Sequence, residues 1–252
     1  MTPRDVPRVL DIIRRFSEED HEVARTSLLR DVRDQFVVER DAEVVGLTGL
    51  RPIEGTDGAC WLSWTYLHDA ARGQGLGRRM MEELFVLARK QGFRKVFVTT
   101  SDMRVDGVPR YAAALKAYRA VGFVDEVHHP HYYAPDDGQI VLGRRLRASR
   151  PVTPTPDERG LALTEVDEIV ETDDTWYLDW RFVDDGPGAT VADVRRFVDQ
   201  VVRERGRMIF VGLPSDAPAA LALFAAAGFT PAGRLADFYE DGVHEERLRL
   251  DL

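Results

Sequence analysis

Cysteine is almost missing from this chain: Cys60 is the only one in 252 residues. That excludes an internal disulfide and a cysteine-based zinc site, and it fits a reducing compartment. Long apolar runs are also missing. The longest, Ala219 to Phe229, falls far short of the roughly 18 residues that a membrane span needs. The opening MTPRDVPRVL has no apolar stretch of the kind a signal peptide carries, so a soluble, cytoplasmic protein is expected. Lysine is scarce, with Lys90, Lys95 and Lys116 the only three among 34 basic residues, so the choice of arginine at any one position carries little functional information. Excess positive charge is lacking as well. A net charge of -9 repels phosphate backbones and anionic surfaces, which argues against nucleic-acid and membrane partners.

What is present is enough apolar material for real cores, 44% of the residues, in a length that suits one large domain or two smaller ones. The acidity is uneven. Residues 1–150 hold 24 basic and 22 acidic side chains, whereas residues 151–252 hold 10 and 21. The two parts meet at Ser149 to Gly160, SRPVTPTPDERG, where prolines crowd together and apolar periodicity stops. The expected organisation is a domain over 1–148, a linker over 149–160 and a second domain over 161–252.

Apolar spacing predicts helices over Asp5–Phe16, Glu18–Arg30, Leu76–Gln91 and Tyr111–Val121. The third should bury Met80, Leu84, Leu87 and Ala88 and end at Gly92. Strands are predicted at Phe36–Glu39, Val44–Leu50, Trp61–Leu67, Lys95–Thr100 and Gln139–Leu146. The second part repeats this order in abbreviated form. TWYLDWRFV at Thr175–Val183 answers the Trp61 strand, Val191–Arg205 the long helix, RMIFV at Arg207–Val211 the next strand, and Ala217–Phe229 the short helix. Arg72 stands 20 residues before Gly92, Gly186 stands 20 before Gly206, and both short helices close on Gly-Phe.

The sharpest chemical signal is Arg72-Gly73-Gln74-Gly75-Leu76-Gly77-Arg78, between a strand and an amphipathic helix. Glycines let the backbone approach a ligand, and a helix start offers unpaired N–H groups and a positive dipole end, a combination suited to phosphate. The spacing is neither that of a nucleoside-triphosphate loop, which ends in Gly-Lys-Ser/Thr, nor that of a dinucleotide fingerprint, which has a small residue where Arg78 stands.

Here the sequence resembles the GNAT superfamily of acyl-CoA-dependent N-acetyltransferases. Arg72-x-x-Gly75-x-Gly77 matches that family's Gln/Arg-x-x-Gly-x-Gly/Ala signature, and Ala114-x-x-x-Tyr118-x-x-x-Gly122-Phe123 matches its short helix, over about residues 5 to 146. The resemblance implies a mixed α/β (α+β) GNAT fold, with a central, mostly antiparallel twisted sheet flanked by helices, followed by a second, abbreviated GNAT-like module. It also implies acetyl-CoA as co-substrate, with the pyrophosphate held by amides of Arg72, Gly73, Gln74, Gly75, Leu76, Gly77 and Arg78. The Trp61 strand is implied to splay from the next one and to meet the thioester and pantetheine through backbone groups of Thr65 and Leu67. Tyr118 matches the residue that protonates the departing thiolate; a phenol with a pKa near 10 is a competent donor. Two departures stand out: Tyr111 replaces an asparagine, and little room remains for the family's opening strand. In the second module Ala189, Val191 and Phe224 are expected opposite Gly75, Gly77 and Tyr118, which makes that copy a degenerate, non-catalytic one that covers or walls the first domain.

An amine acceptor needs a base, and Glu54, Asp57 and Asp102 are the candidates. His128, His129 and His131 lack ligand spacing for a metal, so none is expected. Tyr132 and Tyr133, with Asp102, are candidate acceptor-site residues. Trp61, Trp64 and Cys60 read as core. The expected activity is transfer of an acetyl group to a primary amine of a small molecule by direct attack on the thioester, in a monomer that is an internal pseudo-dimer or in a homodimer. The competing reading is a non-catalytic coenzyme A-binding regulator.

Overall fold

Helices α1 (Val6–Arg14) and α2 (Glu18–Arg30) open the chain with no strand before them. In α1 the residues Val6, Val9, Ile12 and Ile13 are buried on one face, and they share a core with Ala24 and Leu28 of α2 and Leu47. Ser17 caps α2 by accepting from the Asp20 amide at 3.2 Å, which satisfies one of the free N–H groups of that helix start. Strands β1 (Gln35–Arg40) and β2 (Glu43–Pro52) form a hairpin around Asp41 and Ala42, whose φ values of 52° and 63° give a tight left-handed turn. Next come β3 (Ala59–Leu67), α3 (Leu76–Gln91), β4 (Lys95–Ser101), a two-stranded hairpin β5 (Arg104–Val105) and β6 (Val108–Pro109), α4 (Ala112–Ala120), β7 (Val124–Ala134) and β8 (Asp137–Arg145). The α3 face that faces the core is Met80, Met81, Leu84, Phe85 and Ala88. Leu87, expected among them, is 39% exposed, because Met81 and Phe85 rotate the buried stripe to the other side of Leu84.

The second part contains β9 (Gly160–Glu168), β10 (Thr175–Val183), α5 (Val191–Arg203), β11 (Met208–Pro214), α6 (Pro218–Ala226), β12 (Thr230–Glu240) and β13 (Val243–Asp251). The first sheet has the order β1-β2-β3-β4-β8-β7, and the second the order β9-β10-β11-β13-β12. These are the same topology, the second lacking only the β1 position. The strands match in length: β3 and β10 have nine residues, β4 and β11 seven, β7 and β12 eleven, β8 and β13 nine.

The computed structural model describes residues 1–252 except Pro151 and Asp185, and except the side chain of Glu19. Two compact units divide the chain: Met1–Val98 with Ala113–Val124 and Arg144–Ala148, and Thr99–Ala112 with Asp125–Gly143 and Ser149–Leu252. Compaction therefore does not follow the boundary expected at residue 148. The β7–β8 hairpin clusters with the second part because polar groups tie it there. The Thr175 hydroxyl and the Asp173 amide donate to the carbonyls of Tyr132 and Tyr133, each at 2.6 Å, and Arg247 Nη1 donates to Gln139 Oε1 at 3.2 Å. The expected linker has no helix or strand before Gly160 among its described residues, and its Pro151 lies outside them. Among the described residues no helix is long and apolar enough to cross a membrane.

Candidate functional site

In the first unit β3 and β4 run parallel and pair at three positions, Ala59 with Lys95, Cys60 with Val96 and Trp61 with Phe97. β3 then continues six residues to Leu67 without pairing to β4, so that side of it has no strand partner there. The β2–β3 register shifts between Leu47 and Gly49, a bulge that re-aims β3 around Trp64 and Thr65. The Thr65 hydroxyl donates to the Ser63 carbonyl at 2.7 Å and lies 3.0 Å from the Thr48 hydroxyl. Leu67 ends the strand against two glycines: a Cβ at Gly46 would lie 2.5 Å from Leu67 Cδ2, and one at Gly77 would lie 3.2 Å from Cδ1. Small residues there let the first turn of α3 close on the end of β3.

The loop between them is built from hydrogen bonds to its own backbone. Arg72 Nε donates to the Leu67 carbonyl at 3.1 Å, Arg72 Nη1 pairs with Asp69 at 2.9 Å, and the guanidinium lies 5.6 Å from the centroid of the Phe16 ring. Leu67, expected to offer its backbone to pantetheine, thus already has its carbonyl taken by the loop. Gln74 Nε2 donates to the Ala70 carbonyl at 3.1 Å. Gly73 and Gly75 have φ of 74° and 75°, and a Cβ on either would meet nothing within 4 Å. Glycine is required there by backbone conformation, and the space in front of it is open. Gly75 is the N-cap of α3; no side chain caps the helix and its first turn has no acid. The N–H groups of that turn and the positive end of the dipole therefore meet neither a side-chain cap nor a carboxylate of that turn.

Tyr118 sits on α4, half-buried, with its ring edge-on to Phe123 at 5.7 Å, and Phe123 edge-on to Phe85 at 5.8 Å. The helix ends because Gly122 takes φ 89° and the Phe123 amide bonds back to the Tyr118 carbonyl at 3.1 Å. Burial pushes the phenol up to about 12, and its hydroxyl has no hydrogen-bond partner among the described residues. It is a neutral O–H at any ordinary pH, able to donate. Cys60 is fully buried, and burial, reinforced by Asp34, pushes its thiol up to about 12, an inert core group. Glu54 and Asp57 lie exposed in the turn before β3. With an extended rise per residue, that turn is roughly 25 Å from Thr65, at the wrong end of the strand for a base.

The remaining candidates fall in the second unit. Asp102 accepts from the Gly138 amide at 2.6 Å and lies 2.6 Å from His128 Nε2. Burial works to raise its pKa, but the Gly138 amide and His128 outweigh it and the carboxyl is held low. A committed, weakly basic carboxylate of this kind is a poor proton acceptor. Tyr132, a candidate acceptor-site residue, is buried in a cluster with Met208 and Phe210; β7 turns its face inward at that position. Tyr133 is half-buried, and its hydroxyl accepts from Gln139 Nε2 at 3.4 Å. The histidines separate: His129 packs on Phe210 at 4.9 Å and burial pushes it down to about 3, His128 meets Asp102, and His131 Nδ1 meets the Pro135 carbonyl. Strand alternation and a left-handed residue, His131 with φ 64°, send them to three places. A different group, Glu18, His21 and Glu22, converges within 4.8 Å at the start of α2. Arg14 Nη2 lies 2.8 Å from its buried imidazole, a cation where a metal would bind. The i, i+3, i+4 spacing was the readable signal for that cluster.

The acetyltransferase (GNAT) family model matches residues 6–123. The Xenopus laevis protein named "Probable N-acetyltransferase camello" is 28% identical over 102 residues, covering 40% of this chain and 43% of that protein. The Escherichia coli (strain K12) protein named "Uncharacterized N-acetyltransferase YjgM" is 29% identical over 126 residues, 44% of this chain and 75% of that one. The chain thus spans less than half the length of the first of these relatives. A crystal structure of aminoglycoside 6'-N-acetyltransferase complexed with coenzyme A shares the fold with a TM-score of 0.51 and 15% identity, over 60% of this chain and 95% of that one. A splayed parallel strand pair, a glycine loop and an uncapped helix start thus lie within residues 6–123, the stretch that is similar to the acetyltransferase (GNAT) family.

Proposed function

We propose that the chain is an acetyl-CoA-dependent N-acetyltransferase acting on a primary amine of a small molecule by direct transfer. The observation that carries this is the end of β3–β4 pairing after Trp61 and Phe97, on a strand that leads into the uncapped α3 start. An extended acyl-pantetheine arm fits the unpaired edge of β3, and its pyrophosphate suits the amides from Gly73 to Arg78. The structure complexed with coenzyme A on the same fold supports that choice of ligand.

The chemistry then follows from this chain's own groups. The free amine attacks the thioester carbon, and a strand amide near Thr65 stabilises the oxygen as it gains charge. The C–N bond forms, the C–S bond breaks, and the amine's surplus proton leaves to water. The Tyr118 O–H donates its proton to the departing sulfur and regains one from solvent.

Isothermal titration with acetyl-CoA, followed by free-thiol release against a panel of small amines, tests this reading. Binding with amine-dependent thiol release supports it. Binding without turnover would make the protein a coenzyme A-binding regulator, and no binding would remove the coenzyme altogether.

A further inference from the structure

Four arginines border the glycine loop, and three of them are already neutralised. Arg72 pairs with Asp69 at 2.9 Å, Arg78 with Glu82 at 2.8 Å and Arg79 with Glu83 at 2.9 Å. Arg40 is different. It ends β1, and the Asp41-Ala42 turn holds it against the loop from a distant part of the sequence. Its Nη1 donates to Gln74 Oε1 at 3.0 Å and reaches the Ala70 carbonyl at 3.5 Å. Both partners are neutral, and among the described residues no carboxylate pairs with it, not even Glu43, its neighbour in the hairpin register.

We infer that Arg40 is the uncompensated cation of the phosphate-binding loop and contacts a phosphate of the coenzyme directly. This rests on the acetyl-CoA reading above. The hydrogen bond through Nη1 uses one edge of the guanidinium and leaves Nε and Nη2 for an oxyanion, the fork geometry that suits phosphate. Gln74 acts as the spacer: its amide nitrogen is fixed on Ala70 and its oxygen holds Arg40. The three paired arginines bring their own counter-charges, so they add little net attraction at the helix start.

The test is isothermal titration of the full chain with acetyl-CoA at low and at high salt, using Arg40→Ala, Arg40→Lys and Arg79→Ala. Arg40→Ala is expected to weaken binding about tenfold at low salt, the size of one exposed charged hydrogen bond, with the deficit shrinking as salt screens it. Arg40→Lys should recover most of the loss, and Arg79→Ala should bind within about threefold of the parent because its charge is already paired. If the parent chain itself fails to bind, the acetyl-CoA reading falls. Should the parent bind and Arg40→Ala bind equally well, the assignment of Arg40 is overturned. A deficit that is independent of salt and not rescued by lysine also overturns it, leaving Arg40 as a brace for Gln74 only.

Discussion

The β3–β4–α3 region and the β10–β11–α5 region have one backbone plan and different side chains at the strand gap and the helix start. In each, two parallel strands pair at three positions and then part: Ala59–Trp61 with Lys95–Phe97 in the first, Thr175–Tyr177 with Met208–Phe210 in the second. In the first, among the described residues, no side chain caps the helix start and β3 does not pair with β4 past Trp61. In the second each opening is filled from within. Trp180 Nε1 donates to the Gly212 carbonyl at 2.7 Å and the Gly212 amide donates to the Tyr177 hydroxyl at 3.1 Å, so two side chains of β10 span the gap to β11 and satisfy its Gly212 peptide. At the helix start Thr190 and Asp193 form a reciprocal capping box, placing a carboxylate where the first region has neither cap nor acid. The helix starts set Thr190, rather than the expected Ala189, opposite Gly75. Phe224, fully buried and edge-on to Phe229 at 5.2 Å, stands in place of Tyr118. The lesson is that one sheet plan can carry either an uncapped helix start or one capped from within, with the strand gap bridged by side chains, while the strand order is kept.

The sharpest way to break the comparison is at Gly75. Gly75→Val puts a β-branched residue at φ 75°, a conformation costing roughly 1–2 kcal/mol, with its side chain in the open approach to the α3 amides. Acetyl-CoA binding is expected to vanish in isothermal titration, with no residual site in the second region. The parent chain should titrate with one coenzyme per chain; two equal sites would refute the internal closure of the β10–β11 cleft.

Next in size is Tyr118→Phe, which gives the first region the residue of the second. Loss of a general acid typically costs about a hundredfold or more in kcat, with coenzyme affinity unchanged. The sign of the pH effect follows from burial. A phenol raised to about 12 stays protonated as pH rises through 10, so the parent's kcat should show no alkaline fall from this group below about pH 11. A fall near pH 10 that disappears in Tyr118→Phe would show the phenol to be far less shielded than its packing implies.

A third, smaller effect separates the two clefts by stability. Trp180→Phe removes the indole N–H and leaves the Gly212 carbonyl unsatisfied, a loss of about 1–3 kcal/mol in denaturant unfolding. Trp64→Phe, at the equivalent position of β3, should cost less, because no hydrogen bond of its indole is present among the described residues. Equal losses would mean that the Trp180 contact is packing rather than a substitute for a ligand.

Much of this was legible in the residues. Glycine spacing located the loop, and the paired Gly-Phe helix ends pointed to the strand order that the two sheets share. What escaped was non-local. Tyr132 and Tyr133 look alike in sequence, yet alternation along β7 sends Tyr132 into the Phe210 cluster. Asp102 resembles any loop acid until Gly138 and His128, far along the chain, converge on it. Tyr177 and Trp180 read only as part of the strand TWYLDWRFV, and the parting of β10 from β11 gives their polar atoms a task. Glu54 and Asp57 were misplaced because proximity in sequence to β3 does not say which end of β3 matters.

The smallest predicted effect tests whether the α5 cap is a cause of closure or merely compatible with it. Thr190→Ala removes the hydroxyl that caps the Asp193 amide at 3.4 Å and bonds the Asp193 carboxylate at 2.7 Å, and should cost about 1 kcal/mol of stability. It should not create coenzyme binding, because Tyr177 and Trp180 still occupy the cleft and Asp193 still repels a phosphate. The converse change, Gly75→Ser in the first region, offers α3 a side-chain cap at the price of left-handed strain. It should weaken acetyl-CoA binding less than Gly75→Val does, since serine is smaller and its hydroxyl can hydrogen-bond. If Gly75→Ser binds as well as the parent in titration, capping and phosphate binding do not compete at this helix start, and the contrast between the two regions rests on the cleft aromatics alone.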